Sequence, residues 1–146
     1  MNRLLPILSA ALAACGGDDV VAENAVAPDL NLMSEVPGDW SALSGMIGRT
    51  PVESGLFEES PVLVDLNAML GPDVARFRAA LHNATPLVRE GRVIVTRAHD
   101  GQAFLVIDPA QYGLLAGLRQ GSGWRTFETP GADVGRPASV QRMIGA

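Results

Sequence analysis

Arg92-Val93-Ile94-Val95-Thr96-Arg97, Ala98-His99-Asp100-Gly101 and Ala103-Phe104-Leu105-Val106-Ile107 make up the stretch that decides the fold. The first run is β-branched and alternating, the second is turn chemistry built on an Asp-Gly pair, and the third is apolar until Asp108-Pro109 stops it. β-Branched side chains fit a pleated surface, and Asp-Gly supplies the positive-φ position that a tight connection needs. The reading is a β-hairpin that carries His99 and Asp100 at its tip.

Working outward on the C-terminal side, Leu114 to Leu118 and Trp124 to Phe127, parted by Gly121-Ser122-Gly123, read as two further antiparallel strands. Arg136-Pro137 then opens a short last helix that closes the sheet with Val140, Met143 and Ile144. On the N-terminal side, Asp39 caps a short helix with Trp40, Leu43, Met46 and Ile47 on one face, and Gly48 stops it. Arg49 to Ser60 reads as a loop that turns Leu56 and Phe57 inward. Pro61 opens a second helix, with Val62, Leu66, Met69 and Leu70 at helical spacing before Gly71. Pro72 and Asp73 start a third, in which Val74, Phe77 and Leu81 form a stripe while Arg76 and Arg78 face water. Thr85-Pro86 ends that half. Helices first and a meander afterwards predict an α+β domain over 40–146, with N-terminal helices packed on an antiparallel sheet of four to five strands and a short C-terminal helix.

Ahead of the domain the composition changes. Asp18, Asp19, Glu23, Asp29, Glu35 and Asp39 lie in a stretch from Gly16 to Asp39 that holds no basic residue and no helical or strand period. Such a segment cannot bury enough apolar surface to offset its ordering entropy, so 15–39 reads as an acidic tether. Of the 11 basic residues, all of them Arg, only Arg3 lies before Trp40; of the 16 acids, the six just named do. The domain is therefore neutral and the tether carries the excess negative charge. A neutral domain with no basic stripe and 5% aromatic residues gives no support for nucleic-acid binding.

The chain starts Met1-Asn2-Arg3, followed by a mostly apolar run from Leu4 to Leu12 and then Ala13-Ala14-Cys15. A positive start, an apolar run too short to span a bilayer and small residues before a junction predict an export signal over 1–14. Leu12-Ala13-Ala14-Cys15 resembles the lipobox of bacterial lipoproteins. That resemblance implies acylation of Cys15 (palmitate among the expected chains) and cleavage just before it. Each buried methylene adds about 0.8 kcal/mol of membrane affinity, so two or three acyl chains hold a domain on a membrane almost permanently. Gly16, rather than Asp, follows the Cys; in such lipoproteins this points to the outer membrane rather than the inner. With its single Cys spent on lipid, the domain has no internal disulfide and holds by packing.

Catalytic motifs are scarce. There is no Gly-x-Ser-x-Gly elbow, no Gly-rich phosphate loop, no paired Cys and no His-x-x-x-His spacing, so no catalytic residue, metal site or cofactor is expected. His82 reads as a dipole partner at the end of the third helix. His99 beside Asp100 is compatible with an ordinary polar turn or with a presented recognition loop. A metal site there lacks further ligands, the nearest carboxylate, Asp108, being at the far end of the next strand. A hydrolase using His99 with Glu58 or Glu59 lacks a nucleophile and a pocket.

The order of elements from Trp40 onward resembles small exported bacterial proteins related to the inhibitor of vertebrate lysozyme. The likeness rests on Leu66 to Gly71, Phe77 with Leu81, Gly91-Arg92-Val93-Ile94-Val95, the His99-Asp100 tip and the strand from Phe104 to Asp108. In that family the hairpin loop reads Cys-Lys-Pro-His-Asp-Cys, is stiffened by a disulfide, and sends its His into the lysozyme cleft. Here the matching stretch is Thr96-Arg97-Ala98-His99-Asp100-Gly101, which keeps the His, the Asp and a positive charge at Arg97 but neither Cys. A loop without that staple is expected to lose more entropy on docking. The combined expectation is a non-enzymatic lipoprotein of the cell envelope, anchored to the membrane and facing the periplasm or cell surface. It binds an envelope protein or other ligand through Arg97, His99 and Asp100 or the groove beside them, with lysozyme inhibition as the more specific alternative.

Overall fold

The five strands lie side by side in the order in which the chain makes them. In the computed structural model, which describes residues 39–145, the strands are β1 (Val88–Glu90), β2 (Val93–Arg97), β3 (Ala103–Asp108), β4 (Gly113–Gln120) and β5 (Gly123–Glu128). They form one sheet of order β1-β2-β3-β4-β5, every neighbour antiparallel. The register sets Arg97 opposite Phe104, Phe104 opposite Gly117, and Gly117 opposite Thr126. Cys15, the segment 1–14 and the tether up to Gly38 lie outside the described residues. Asp39, the last tether residue, already serves the domain, since its Oδ1 accepts a hydrogen bond from Ser41 N at 3.0 Å.

Both faces of the sheet are covered, and that explains the β3 sequence. Every residue from Ala103 to Asp108 is buried, so a continuous apolar run replaces the alternation of a half-exposed strand. Ile94, Ala98, Leu105, Ile107, Leu114, Ala116 and Leu118 pack on one face with the N-terminal helices. Val93, Val95, Phe104, Val106 and Leu115 pack on the other with Val134 and Val140. The helices are therefore divided between two faces, the last one alone on its side.

The N-terminal layer contains a 3-10 helix (Trp40–Met46), α1 (Pro51–Ser54), α2 (Leu56–Glu59), α3 (Leu63–Leu70), a 3-10 turn (Gly71–Asp73) and α4 (Val74–Ala80). The stretch expected as a loop over 49–60 holds two single-turn helices. Thr50-Pro51-Val52-Glu53 forms a reciprocal capping box, Glu53 N donating to Thr50 Oγ1 and Thr50 N to Glu53 Oε2, each at 3.2 Å. Leu56 and Phe57 do turn inward. Trp40, Leu43, Val62, Leu66, Leu70, Phe77 and Leu81 complete this layer. Arg78, expected to face water, is only partly exposed and sets its guanidinium 6.0 Å from the Phe57 ring. Asp73 does more than sit at a helix start: Arg125 Nη1 lies 3.1 Å from its Oδ2 and ties the 3-10 turn ahead of α4 to β5.

The fifth strand is β1, a three-residue edge strand after Pro86 that carries Arg89 and Glu90. Short, charged edges discourage pairing with other chains. On the second face, α5 (Ala138–Gly145) buries Ser139 and Val140. Ser139 Oγ donates to Glu90 Oε2 at 2.5 Å, which fastens α5 to β1. The approach to α5 is fastened as well: Arg92 Nη2 donates to Asp133 O at 2.7 Å and Asp133 N donates to Gln111 Oε1 at 3.1 Å.

Candidate functional site: the hairpin tip and its arginine cleft

Residues 98–102 connect β2 and β3. Ala98 N donates to Ala103 O at 2.9 Å, Gly101 N donates to Ala98 O at 3.0 Å, and Gly101 adopts φ +75°. That conformation is open to Gly at little cost and strained for other residues. Asp100 Oδ1 accepts from Gln102 N at 3.0 Å, so the carboxylate shapes the turn from within. His99 and Asp100 are both exposed.

A segment remote in sequence holds the tip from behind. His99 N donates to Asn83 O at 3.0 Å, Thr85 N to Arg97 O at 2.8 Å, Arg97 N to Thr85 Oγ1 at 3.2 Å, and Thr96 Oγ1 to Thr85 O at 2.7 Å. Ala98 is buried and bridges to Ala84. Asn83 to Thr85 thus pins the loop from behind through these hydrogen bonds.

Beside the tip lies an open cleft of about 430 Å³, within the size range of small-ligand sites. Arg97 from β2, Arg119 from β4 and Arg142 from α5 line it together with Asp100, Gln102 and Met143. Residue parity explains the meeting. Arg97 lies on the sheet face that holds Val93 and Val95, Arg119 lies two residues beyond Gly117 on the same face, and α5 packs against that face. Arg119 also sets its guanidinium 5.4 Å from the Trp124 ring. Among the described residues, none of the three arginines forms an ion pair; those present are Arg76 and Arg125 with Asp73, and Arg92 with Asp108. Asp100 is the one acidic residue among those that line the cleft.

Of the residues singled out in the sequence, Arg97 and Asp100 line the cleft, while His99 stands on the adjoining tip. Arg119 and Arg142 escaped sequence reasoning. Their signal is positional and becomes legible only once the register of β2, β3 and β4 and the face chosen by α5 are known. His82 follows the end of α4 and is exposed. Asp108 is fully buried, with Arg92 Nε 2.8 Å from its Oδ2. Glu58 and Glu59 are exposed on α2, and no hydrogen bond or ion pair joins either to His99 among the described residues. The described residues hold no group of three His, Cys, Asp or Glu arranged for a metal ion, and no described helix is long and apolar enough to cross a membrane. No family model, curated protein or solved structure matches the chain.

Proposed function

We propose that this protein is a non-enzymatic lipoprotein of the bacterial cell envelope. Cys15 carries the lipid, the acidic tether stands the domain off the membrane, and the hairpin tip with its arginine cleft binds a partner in the periplasm or at the outer membrane. The observation that carries the binding assignment is the convergence of Arg97, Arg119 and Arg142 on one cleft next to a pre-ordered tip. A tip already held by Asn83 and Thr85 gives up little further entropy on docking. The mixture of guanidiniums, an amide and a thioether wall suits recognition. Acid-base chemistry, by contrast, needs a nucleophile within reach of a base.

The test is capture of partners from cross-linked envelopes by the lipidated full chain, with Arg97→Ala and His99→Ala beside it. The expected result is a partner recovered by the native chain and reduced at least about tenfold by either substitution, the loss usual for a central contact. Equal recovery by all three chains places the binding surface elsewhere. For the anchor, Cys15→Ser is expected to release the protein from membranes without detergent; continued membrane retention contradicts the lipid assignment.

Lysozyme inhibition is the narrower reading, favoured by the backbone pinning of a loop that keeps the His-Asp pair. The full chain is then expected to inhibit vertebrate lysozyme at micromolar concentration, and His99→Ala to weaken inhibition by more than about tenfold. No inhibition at that concentration eliminates this version and leaves the broader one standing.

A further inference from the structure

We infer that the cleft is a binding site for a multivalent oxyanion, a ligand carrying adjacent phosphate or carboxylate groups. The inference rests on the cleft being the binding surface and adds the chemistry of what enters it. Its starting point is charge. The domain as a whole is balanced in charge, yet three guanidiniums from β2, β4 and α5 line one concave surface with a single acidic residue.

That carboxylate is partly committed, because Asp100 Oδ1 accepts the Gln102 backbone N–H. A further acid on this face, Glu90, accepts the Ser139 hydroxyl and helps to hold α5 in place. Ser139 is therefore occupied in structure, and Gln102 Nε2 donates to Asp100 O at 3.4 Å, so the donors left to a ligand are chiefly the three guanidiniums. Guanidinium is planar, stays charged at every working pH and offers paired N–H groups that match carboxylate and phosphate oxygens. Three of them on one wall are mutually repulsive when empty, and a ligand of charge two or more relieves that repulsion. The supports are firm: Arg119 N donates to Gln102 O at 2.9 Å, and its guanidinium rests against Trp124. Met143 supplies an apolar border, which favours an anion carried on an organic skeleton over a bare ion.

The test is titration of the purified full chain with pyrophosphate and, separately, citrate, followed by calorimetry and by tryptophan emission. The expected result is one saturable site of roughly millimolar affinity or tighter for at least one probe. It weakens at least about tenfold in Arg97→Gln and in Arg142→Gln, each of which removes a charge-assisted contact. It tightens in Asp100→Asn, which removes the opposing charge. Binding is expected to weaken as salt rises from about 0.01 to 0.15 M, where the screening length falls from roughly 30 to 8 Å. A change in emission accompanies saturation and disappears in Trp124→Phe, since Arg119 reports on the ring it covers. Arg142 is exposed on α5, so its substitution tests the site even if Arg97→Gln does not fold.

Saturation by pyrophosphate alone assigns a phosphorylated ligand, saturation by citrate alone a carboxylate ligand, and either supports the oxyanion site. No saturable binding of either probe, or binding indifferent to both arginine substitutions, overturns it. That failure is separable from failure of the binding module, because partner capture sensitive to Arg97 and His99 can persist when small anions do not bind.

Discussion

Arg92 Nε lies 2.8 Å from Asp108 Oδ2, joining a half-exposed guanidinium to a carboxylate with no solvent access. The pair spans the start of β2 and the end of β3, and the same arginine reaches Asp133 O on the way to α5. Asp108 also accepts from Ala110 N at 3.2 Å, which alone cannot compensate a buried negative charge. Arg92→Ala is therefore expected to lower unfolding free energy by about 3 kcal/mol, near the lower end for orphaning a buried charge because Arg92 itself keeps contact with water. Urea unfolding measures this, and adding Asp108→Asn to the variant should restore part of the loss. A single substitution with no effect contradicts the proposed clamp.

Gly117 is required by packing. A Cβ at that position would lie 2.2 Å from Phe104 Cε1, and Phe104 is fully buried with the Trp124 ring centroid 5.3 Å from its own. Gly117→Ala is expected to cost about 1–3 kcal/mol through overpacking, seen as a lowered urea midpoint. Pairing it with Phe104→Leu should recover stability relative to the sum of the two single changes, since the smaller side chain vacates the space.

Most of this architecture can be read from residues alone, and the limits have physical causes. The β2–β3 hairpin is legible because β-branched runs flank Asp-Gly, and β4–β5 because Gly121 marks their turn. β1 is not, because Val88-Arg89-Glu90 is too short to show a period and pairs only after β2 is placed. The helices α1 and α2 are each one turn long, so apolar spacing says nothing of them; the Thr50/Glu53 pair at capping-box distance was the available signal. For the site, the tip residues Arg97, His99 and Asp100 follow from the turn. Arg119 and Arg142 depend on register and on which face α5 covers, both long-range properties.

The tip should loosen when its backing is removed. Thr85→Ala deletes the acceptor for Arg97 N and is expected to cost about 1 kcal/mol. Hydrogen exchange at Arg97 N and His99 N should accelerate more than at the centre of β3. Unchanged exchange at the tip would show that the backing segment is not what orders it.

The capping box sets a pH dependence. Hydrogen bonds from the Thr50 side chain and backbone hold the Glu53 carboxyl below its usual range, with a smaller contribution from Arg49. A carboxyl with a lower folded than unfolded pKa stabilises the fold above its unfolded value, and that contribution is lost as pH falls through the folded one. The native chain should thus lose more stability than Glu53→Gln on acidification from about pH 6 to 3, the range that spans the ordinary carboxyl value of about 4.3. Equal losses would remove Glu53 from the acid response.

Site-specific photo-cross-linking in living cells from residue 102, an exposed position on the cleft, probes the binding surface where it would work. The expected result is a discrete adduct with one envelope component, reduced at least about tenfold when Arg97 is changed to Gln, in keeping with loss of a central contact. No adduct, or an adduct of equal yield after that change, contradicts the assignment of the tip and its arginine cleft as the binding surface.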